Sequence, residues 1–206
     1  MTLASSLITE ARHFLADISD NAYSDTAMLS YLNEACSRFA TETHCNQAIV
    51  DYTATTNKVT YAQLLDILTT AVAKKILFAV KVEISVAAGN QFLPKALLSE
   101  MKDKLPATTL VPTRWMSFAE AVYFDLAPSV SASNAISVYC SYIPAALSST
   151  ASEVAIPVQW HHALVRYLMF CAHLADRDAG LANGAFAEYE AVRQQASEYY
   201  ALLMEG

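Results

Sequence analysis

Val154-Ala-Ile-Pro-Val-Gln-Trp-His-His-Ala-Leu-Val-Arg-Tyr-Leu168 begins the most informative segment of the chain. It continues through Asp176-Arg177-Asp178 and Tyr189 to Gln195. Pro157 stands where the first turn of a helix tolerates a missing N–H, so a helix is expected from there to about Asp176. Its stripe is Trp160, Leu164, Leu168, Cys171 and Ala175, at three- and four-residue steps. Gly180 and Gly184 punctuate the chain. A last helix over about 184–203 then aligns Ala185, Tyr189, Val192, Ala196, Tyr199 and Leu203 in a near-heptad seam. The stretch reads as two helices around a polar, glycine-bearing break.

Two helices are also expected at the start of the chain. Residues 3–16 place Leu3, Leu7, Ala11, Phe14 and Leu15 on one side, and Asp20-Asn21 breaks the pattern. Asp25 is a fitting N-cap for a helix to about Thr43, whose buried face is Met28, Leu29, Leu32, Ala35, Cys36 and Phe39.

The middle changes character. Ala48 to Thr56 is rich in β-branched and aromatic residues, and Thr56-Asn57 can turn it into Lys58–Tyr61 as a hairpin. Residues 62–73 read as helix, Ile76–Val86 as strand, and Leu93–Leu105 as a helix closed by Pro106. Strands follow at 114–126 and at Ile136–Ile143, the latter with period two and ended by Pro144. Residues 145–153 form a small-residue linker. The expected fold class is α+β, mainly α. Residues 1–46 and 154–206 make a helical bundle, and 47–153 a β-rich antiparallel insertion with short helices, all within one domain.

Composition narrows the function. Hydrophobic residues make up 54% of the 206 and charged residues 16%, which excludes a disordered chain. So apolar a surface is hidden either by an unusually complete core or by other subunits, and the second fits better. A net charge of −7 opposes general affinity for nucleic acid. The charge is uneven: residues 1–60 carry −4, residues 161–206 carry −3, and residues 61–113 carry +2. Lys74, Lys75, Lys81, Lys95, Lys102 and Lys104 form either a solvated face or a contact for an acidic neighbour. Cys36, Cys45, Cys140 and Cys171 lack metal or redox spacing and read as buried free thiols in a reducing compartment. Met1–Ser6 is no signal peptide, and Lys74, Lys75, Lys81 and Glu83 interrupt the most apolar zone, Ile67–Ala88. A soluble cytoplasmic product without a membrane segment is expected.

No constellation carries chemistry. Adjacent His161 and His162 point about 100° apart on a helix and cannot share a metal. His162 and His173 share a face but lack a carboxylate set. A polar contact at the bundle edge is expected of His161 or His162. Asp176-Arg177-Asp178 lacks the later ligands of a calcium loop and reads as a polar helix end stopped by Gly180. Phosphate loops, dinucleotide fingerprints and nucleophile elbows are missing. No catalytic, cofactor-binding or metal residue is therefore assigned. Of the eleven tyrosines, Tyr199 and Tyr200, followed by Ala-Leu-Leu-Met, suit a protein contact.

One resemblance spans nearly the whole chain in order. It rests on Leu29-Ser-Tyr-Leu-Asn-Glu-Ala35, on Arg114-Trp115 ahead of Asp125-Leu-Ala-Pro128, and on Val138-Tyr-Cys-Ser-Tyr-Ile-Pro144 followed by Leu147. Ile156-Pro157 leading to His161, Leu164-Val165, Tyr167, Asp176-Arg-Asp178, Ala187 and Tyr189 completes it. This order resembles the bacteriophage head–tail connector family, also called adaptor or head-completion proteins. The resemblance implies a helical bundle with a β-rich insertion that forms a ring, usually of twelve copies, beneath the portal protein. The ring extends the DNA channel and receives tail or neck proteins, and packaged DNA passes without sequence-specific binding. It further implies a virion protein of the neck, present in the host cytoplasm during assembly, without enzymatic activity. A C-terminal segment, here about Ser197–Gly206, engages the portal in such proteins, and the contact residues would be Tyr199, Tyr200, Leu202, Leu203 and Met204. Few residues follow Tyr200, and the lysine-rich 62–105 is more helical than the resemblance leads one to expect. A tail-completion or terminator ring is an alternative. A small helical ligand-binding protein or hydrolase, with a site assembled only in three dimensions, is another.

Overall fold

The computed structural model describes residues 2–17, 22–53, 56–69, 72–86, 89–101, 112–125 and 135–205. In chain order the elements are α1 (Ala4–Phe14), α2 (Asp25–Thr43), β1 (Gln47–Thr53), β2 (Lys58–Thr60), α3 (Tyr61–Leu68), β3 (Ala73–Val86) and β4 (Gly89–Phe92). Next come α4 (Leu98–Met101), β5 (Trp115–Phe118), β6 (Ala121–Phe124), β7 (Ala135–Pro144), a 3₁₀ turn (Val158–Trp160), α5 (His161–Ala175) and α6 (Ala179–Glu205). The protein is α+β and mainly helical, with helices at both ends and antiparallel strands between. It divides into a helical unit, Met1–Asn46 with Ile143–Gly206, and a sheet unit, Gln47–Tyr142.

In the helical unit, α5 packs against α1, α2 and α6. The core holds Leu7, Ile8, Met28, Leu32, Phe39, Leu164, Leu168 and Tyr189, spaced so that each helix turns one face inward. Burying each such side chain stabilises by about 1.5–3 kcal/mol. The N-cap of α2 is Ser24, whose hydroxyl accepts from the Ala27 N–H at 3.2 Å; Asp25, expected there, is the first helical residue. Its charge favours the helix start from either position.

Residues 145–153, expected as a linker, are tied down. Ser152 and Thr150 carbonyls accept from the first N–H groups of α1, at 2.9 and 2.8 Å. This matters because Leu3 at the N-cap offers no side-chain acceptor. The Asn33 amide meanwhile donates to the Leu147 carbonyl at 3.1 Å and accepts from its N–H at 2.6 Å.

The break in the opening stretch differs from expectation. Pro157 precedes a 3₁₀ turn, and α5 starts only at His161. The chain then turns at Asp176-Arg177-Asp178, not at the glycines. Arg177 takes a left-handed conformation, φ 60°. Its N–H reaches the Leu174 carbonyl at 3.1 Å, and that of Asp178 reaches His173 at 2.9 Å, the Schellman pattern that satisfies the orphan carbonyls. Asp178 then caps α6 by accepting from the Leu181 N–H at 3.0 Å. Gly180 and Gly184 lie inside α6, which is 27 residues long. Ala175, expected in the buried stripe of α5, is exposed, and Ala172 is buried instead.

The sheet unit contains two antiparallel sheets, ordered β1-β7-β3-β4 and β2-β6-β5. The expected hairpin of 48–61 does not form: β1 pairs with β7 along seven residues, from Gln47↔Ser141 to Thr53↔Ala135, whereas β2 pairs with β6. Cross-strand packing of Val50 with Val138 and Ile136 outweighs the local turn signal. The segment 114–126, expected as one strand, is the hairpin β5–β6. Ala119 and Glu120 both adopt positive φ, 47° and 56°, as a two-residue primed turn requires. Residues 62–73 are helical only to Leu68, where α3 ends, and that helix begins with a capping box between Thr60 and Gln63. Of the helix expected over 93–105, the described part, 93–101, is helical at Leu98–Met101. Residues 102–105, with Lys102 and Lys104, and Pro106 lie outside the described residues. The core of this unit gathers Val59, Leu64, Ile76, Val82, Ile84, Trp115, Val122, Phe124, Ile136 and Val138. The Trp115 indole N–H donates to the Leu93 carbonyl at 3.0 Å.

Candidate partner-binding surfaces

An aromatic seam runs through the helical unit because α2, α5 and α6 each turn rings toward one another. Tyr189, 0% exposed, lies 5.1 Å from Tyr167, 5.8 Å from Phe186 and 6.3 Å from Phe39, centroid to centroid. The Arg38 guanidinium covers the outer side, 5.1–5.8 Å from the rings of Phe186, Tyr167 and Tyr189. Glu42 pairs with Arg38 at 2.9 Å and Arg193 at 3.5 Å, and it accepts the Tyr189 hydroxyl at 3.2 Å. Tyr167 donates to Glu34 at 2.7 Å. Burial and that bond push the Tyr167 phenol up to about 12. The Tyr189 phenol is pushed up as well, by burial and by the charge of Glu42. This seam locks α2 to the α5–α6 pair.

The seam reaches the surface at the C-terminal end of α6. Trp160 stacks obliquely on Phe39 at 6.4 Å and meets Tyr199 at 6.2 Å, and its indole N–H donates to the Tyr200 hydroxyl at 3.3 Å. Of the five residues expected to meet a partner, Tyr199 is 49% and Leu202 72% exposed, whereas Tyr200 is buried. The side chains of Leu203 and Met204 lie outside the described residues. Val158, 70% exposed, stands two residues before Trp160 and escaped the sequence reading, since an isolated valine after proline gives no signal.

At the start of α2, Arg12 is almost buried, donates to the Tyr23 carbonyl at 2.7 Å and pairs with Asp25 at 2.8 Å. The Tyr23 hydroxyl bonds the carboxylate of Asp176. Asp176 thus has a structural partner, and Asp178 caps a helix. His161 is buried with Nε2 2.7 Å from the Ile156 carbonyl, the polar contact expected of one of the paired histidines, while His162 is exposed. Among the described residues no three His, Cys, Asp or Glu side chains gather as metal ligands. All four cysteines are free. Burial pushes Cys36 and Cys171 up to about 12 and Cys45 and Cys140 to about 11, so none is an activated thiolate. Among the described residues no helix is long and apolar enough to cross a membrane.

The sheet unit offers a different surface. Leu98, Met101, Met116, Phe118 and Tyr123 line an open groove holding a cavity of about 250 Å³. Three of its lysines lie over rings: Lys58 5.4 Å over Tyr123, Lys81 5.9 Å over Phe92 and Lys95 5.3 Å over Trp115. Lys75 pairs with Glu120 at 3.1 Å.

A helical bundle with a β-rich insertion, a closed aromatic seam and apolar surface patches defines a class of protein that acts by contact. The comparison with known families agrees. A family model described as SU10 adaptor protein matches residues 1–203, and the chain belongs to that family of phage adaptor proteins. Its role is that of a structural adaptor, a virion component that interacts with other phage head or tail proteins. The comparison with curated proteins finds no match.

Proposed function

We propose that this adaptor is a non-enzymatic ring protein of the phage neck, twelve copies to the ring, seated between portal and tail so that its lumen extends the DNA channel. The carrying observation is the family match over residues 1–203, joined to an apolar chain with only 16% charged residues whose remaining exposed leucines and aromatics need cover. A ring buries two different faces of every subunit, which accounts for that composition. The helical unit, with thirteen acidic against five basic residues, flanks the channel. An acidic wall lets DNA pass because it offers the phosphates no cations to replace their counterions. Tyr199 and Leu202 meet the portal, joined by Leu203 and Met204, while buried Tyr200 holds Trp160 behind them.

Electron microscopy of virions, or of this protein mixed with purified portal, tests the reading. Twelvefold ring density against the portal is the expected result. A protein that ignores both portal and tail overturns it, and density against the tail tube alone replaces it with a tail-completion ring. Tyr199→Ser with Leu202→Ser is expected to abolish portal binding while leaving the helical circular dichroism unchanged.

A further inference from the structure

We infer that neighbouring copies in the proposed ring join head to tail, the α5–α6 turn of one docking into the methionine-lined groove of the next copy's sheet unit. The inference rests on the ring reading and names the surfaces that close it.

The groove is built for side chains. Its cavity of about 250 Å³ falls below the ~300–1,000 Å³ of small-molecule pockets. Met101 and Met116 give it an adaptable floor, and Phe118 and Leu98, 56% and 48% exposed, form apolar walls. Leu97, 70% exposed, extends the apolar surface beside Leu98.

The α5–α6 turn is the matching knob. Leu174 and Leu181, 51% and 57% exposed, flank the turn on either side. The Schellman bonds at Arg177 and Asp178 and the Asp178 cap satisfy the backbone there, so the two leucines are offered on a rigid tip.

Charge decides the occupant in favour of a second copy. All seven lysines belong to the sheet unit, which has eight basic and seven acidic residues. The helical unit has no lysine and a net charge of −8. The groove wall Tyr123 carries Lys58 above its ring, and Lys95 sits over Trp115 beside Met116, whereas the tip, Asp176-Arg177-Asp178, brings two carboxylates against one guanidinium. Glu100 and Glu120 near the groove are engaged by the Leu97 N–H and by Lys75. Two different surfaces that complement one another on every copy make a heterologous contact, the kind that closes rings. Opposite charge also suppresses tip-to-tip and groove-to-groove pairing.

The test mixes two full-length variants, Leu181→Cys and Phe118→Cys, under a short bismaleimide, with ring formation followed by electron microscopy in the presence of portal. The unsubstituted chain, whose own thiols are buried or half-buried, sets the background. A cross-linked dimer in the mixture that neither variant forms alone is expected, and the doubly substituted chain is expected to give a ladder. Leu181→Asp and Phe118→Asp, each checked for native circular dichroism, should each weaken self-association about tenfold or more, as loss of an anchor residue does. Rings without the mixed cross-link, or a cross-link from Leu181→Cys alone, overturn the inference and leave the ring reading standing. Monomers with neither ring nor cross-link overturn both.

Discussion

The two units bury similar apolar cores but hold their cations in opposite ways. In the helical unit every basic residue apart from histidine is an arginine, and Arg12, Arg38, Arg166 and Arg193 are each paired with a carboxylate. Arg38 also lies 5.1–5.8 Å from the centroids of three rings. In the sheet unit seven of eight cations are lysines, of which Lys58, Lys81 and Lys95 lie over the rings of Tyr123, Phe92 and Trp115 and Lys75 makes a surface pair. A guanidinium stacks and bonds through a planar fork and is weakly hydrated, so it can enter a helix seam. An ammonium keeps its water and stays at the rim. These four arginines thus serve the helical unit's own packing, while Lys58, Lys74, Lys75 and Lys95 of the sheet unit are exposed and available to a neighbour.

The comparison is broken most severely at the two buried anchors. Tyr189→Ala should cost the helical unit about 3–5 kcal/mol, and Trp115→Ala should cost the sheet unit a similar amount. The two tryptophans, Trp160 and Trp115, fall one to each unit and report on them separately in urea titrations. A Tyr189→Ala loss read equally at Trp115 would mean that the units unfold as one, and the contrast would then be architectural only.

Alkali should separate the units next. Tyr23, Tyr167 and Tyr189 stand above the ordinary 10.0 of tyrosine, and Cys36, Cys45 and Cys171 above the ordinary 9.0 of cysteine. A raised folded-state value adds stability that is complete below the unfolded value and disappears as pH climbs through the folded one. The helical unit is therefore expected to lose stability from about pH 9 toward 12. In the sheet unit Tyr139, raised by its bond to Glu83, and Cys140 titrate in the same sense. Trp115 responding before Trp160 in an alkaline titration would reverse the ranking.

Smaller changes sharpen the contrast. Arg38→Ala should cost about 1–2 kcal/mol, and Arg38→Lys should recover less than half, because an ammonium restores charge without the plane. Full recovery would reduce Arg38 to a point charge. Glu120→Gly should stabilise the sheet unit by about 1 kcal/mol, since a left-handed position strains a residue with a Cβ and the exposed Lys75 pair is worth little. Gly184→Ala should stabilise the helical unit by about 0.8 kcal/mol, because the added Cβ meets nothing within 4 Å. Thermal melts of both variants check these gains, and a loss at Gly184→Ala would show that the glycine serves a partner.

The helices were legible in the sequence and their ends less so. The period of Met28, Leu32, Ala35 and Phe39 could belong only to a helix burying one face. The glycines at 180 and 184 misled, because a left-handed arginine and an aspartate cap make the turn, and the helix starts at Ala179, five residues before the start expected at 184. Strand partners were the least legible feature. Thr56-Asn57 is a fair local turn, yet β1 finds its partner about ninety residues away, and the Ala119-Glu120 hairpin has no residue that announces a positive φ. Of the candidate contact surfaces, Tyr199 and Leu202 were read from their place at the chain's end. The groove was not, because Leu98, Met116 and Tyr123 converge only through pairing of distant strands.

Helices at both ends with strands between were already written in the residue pattern, and an ordered set of short motifs carried the resemblance to phage connectors. The elements are local, so periodicity suffices to see them, whereas the family likeness rests on matching those motifs in order. Only the tertiary structure decided which strands pair, that Tyr200 turns inward while Tyr199 and Leu202 face out, and that arginines and lysines segregate by unit into different contacts. Each of these depends on long-range packing, where the gain from burying one side chain against a distant partner exceeds any preference of the neighbouring residues.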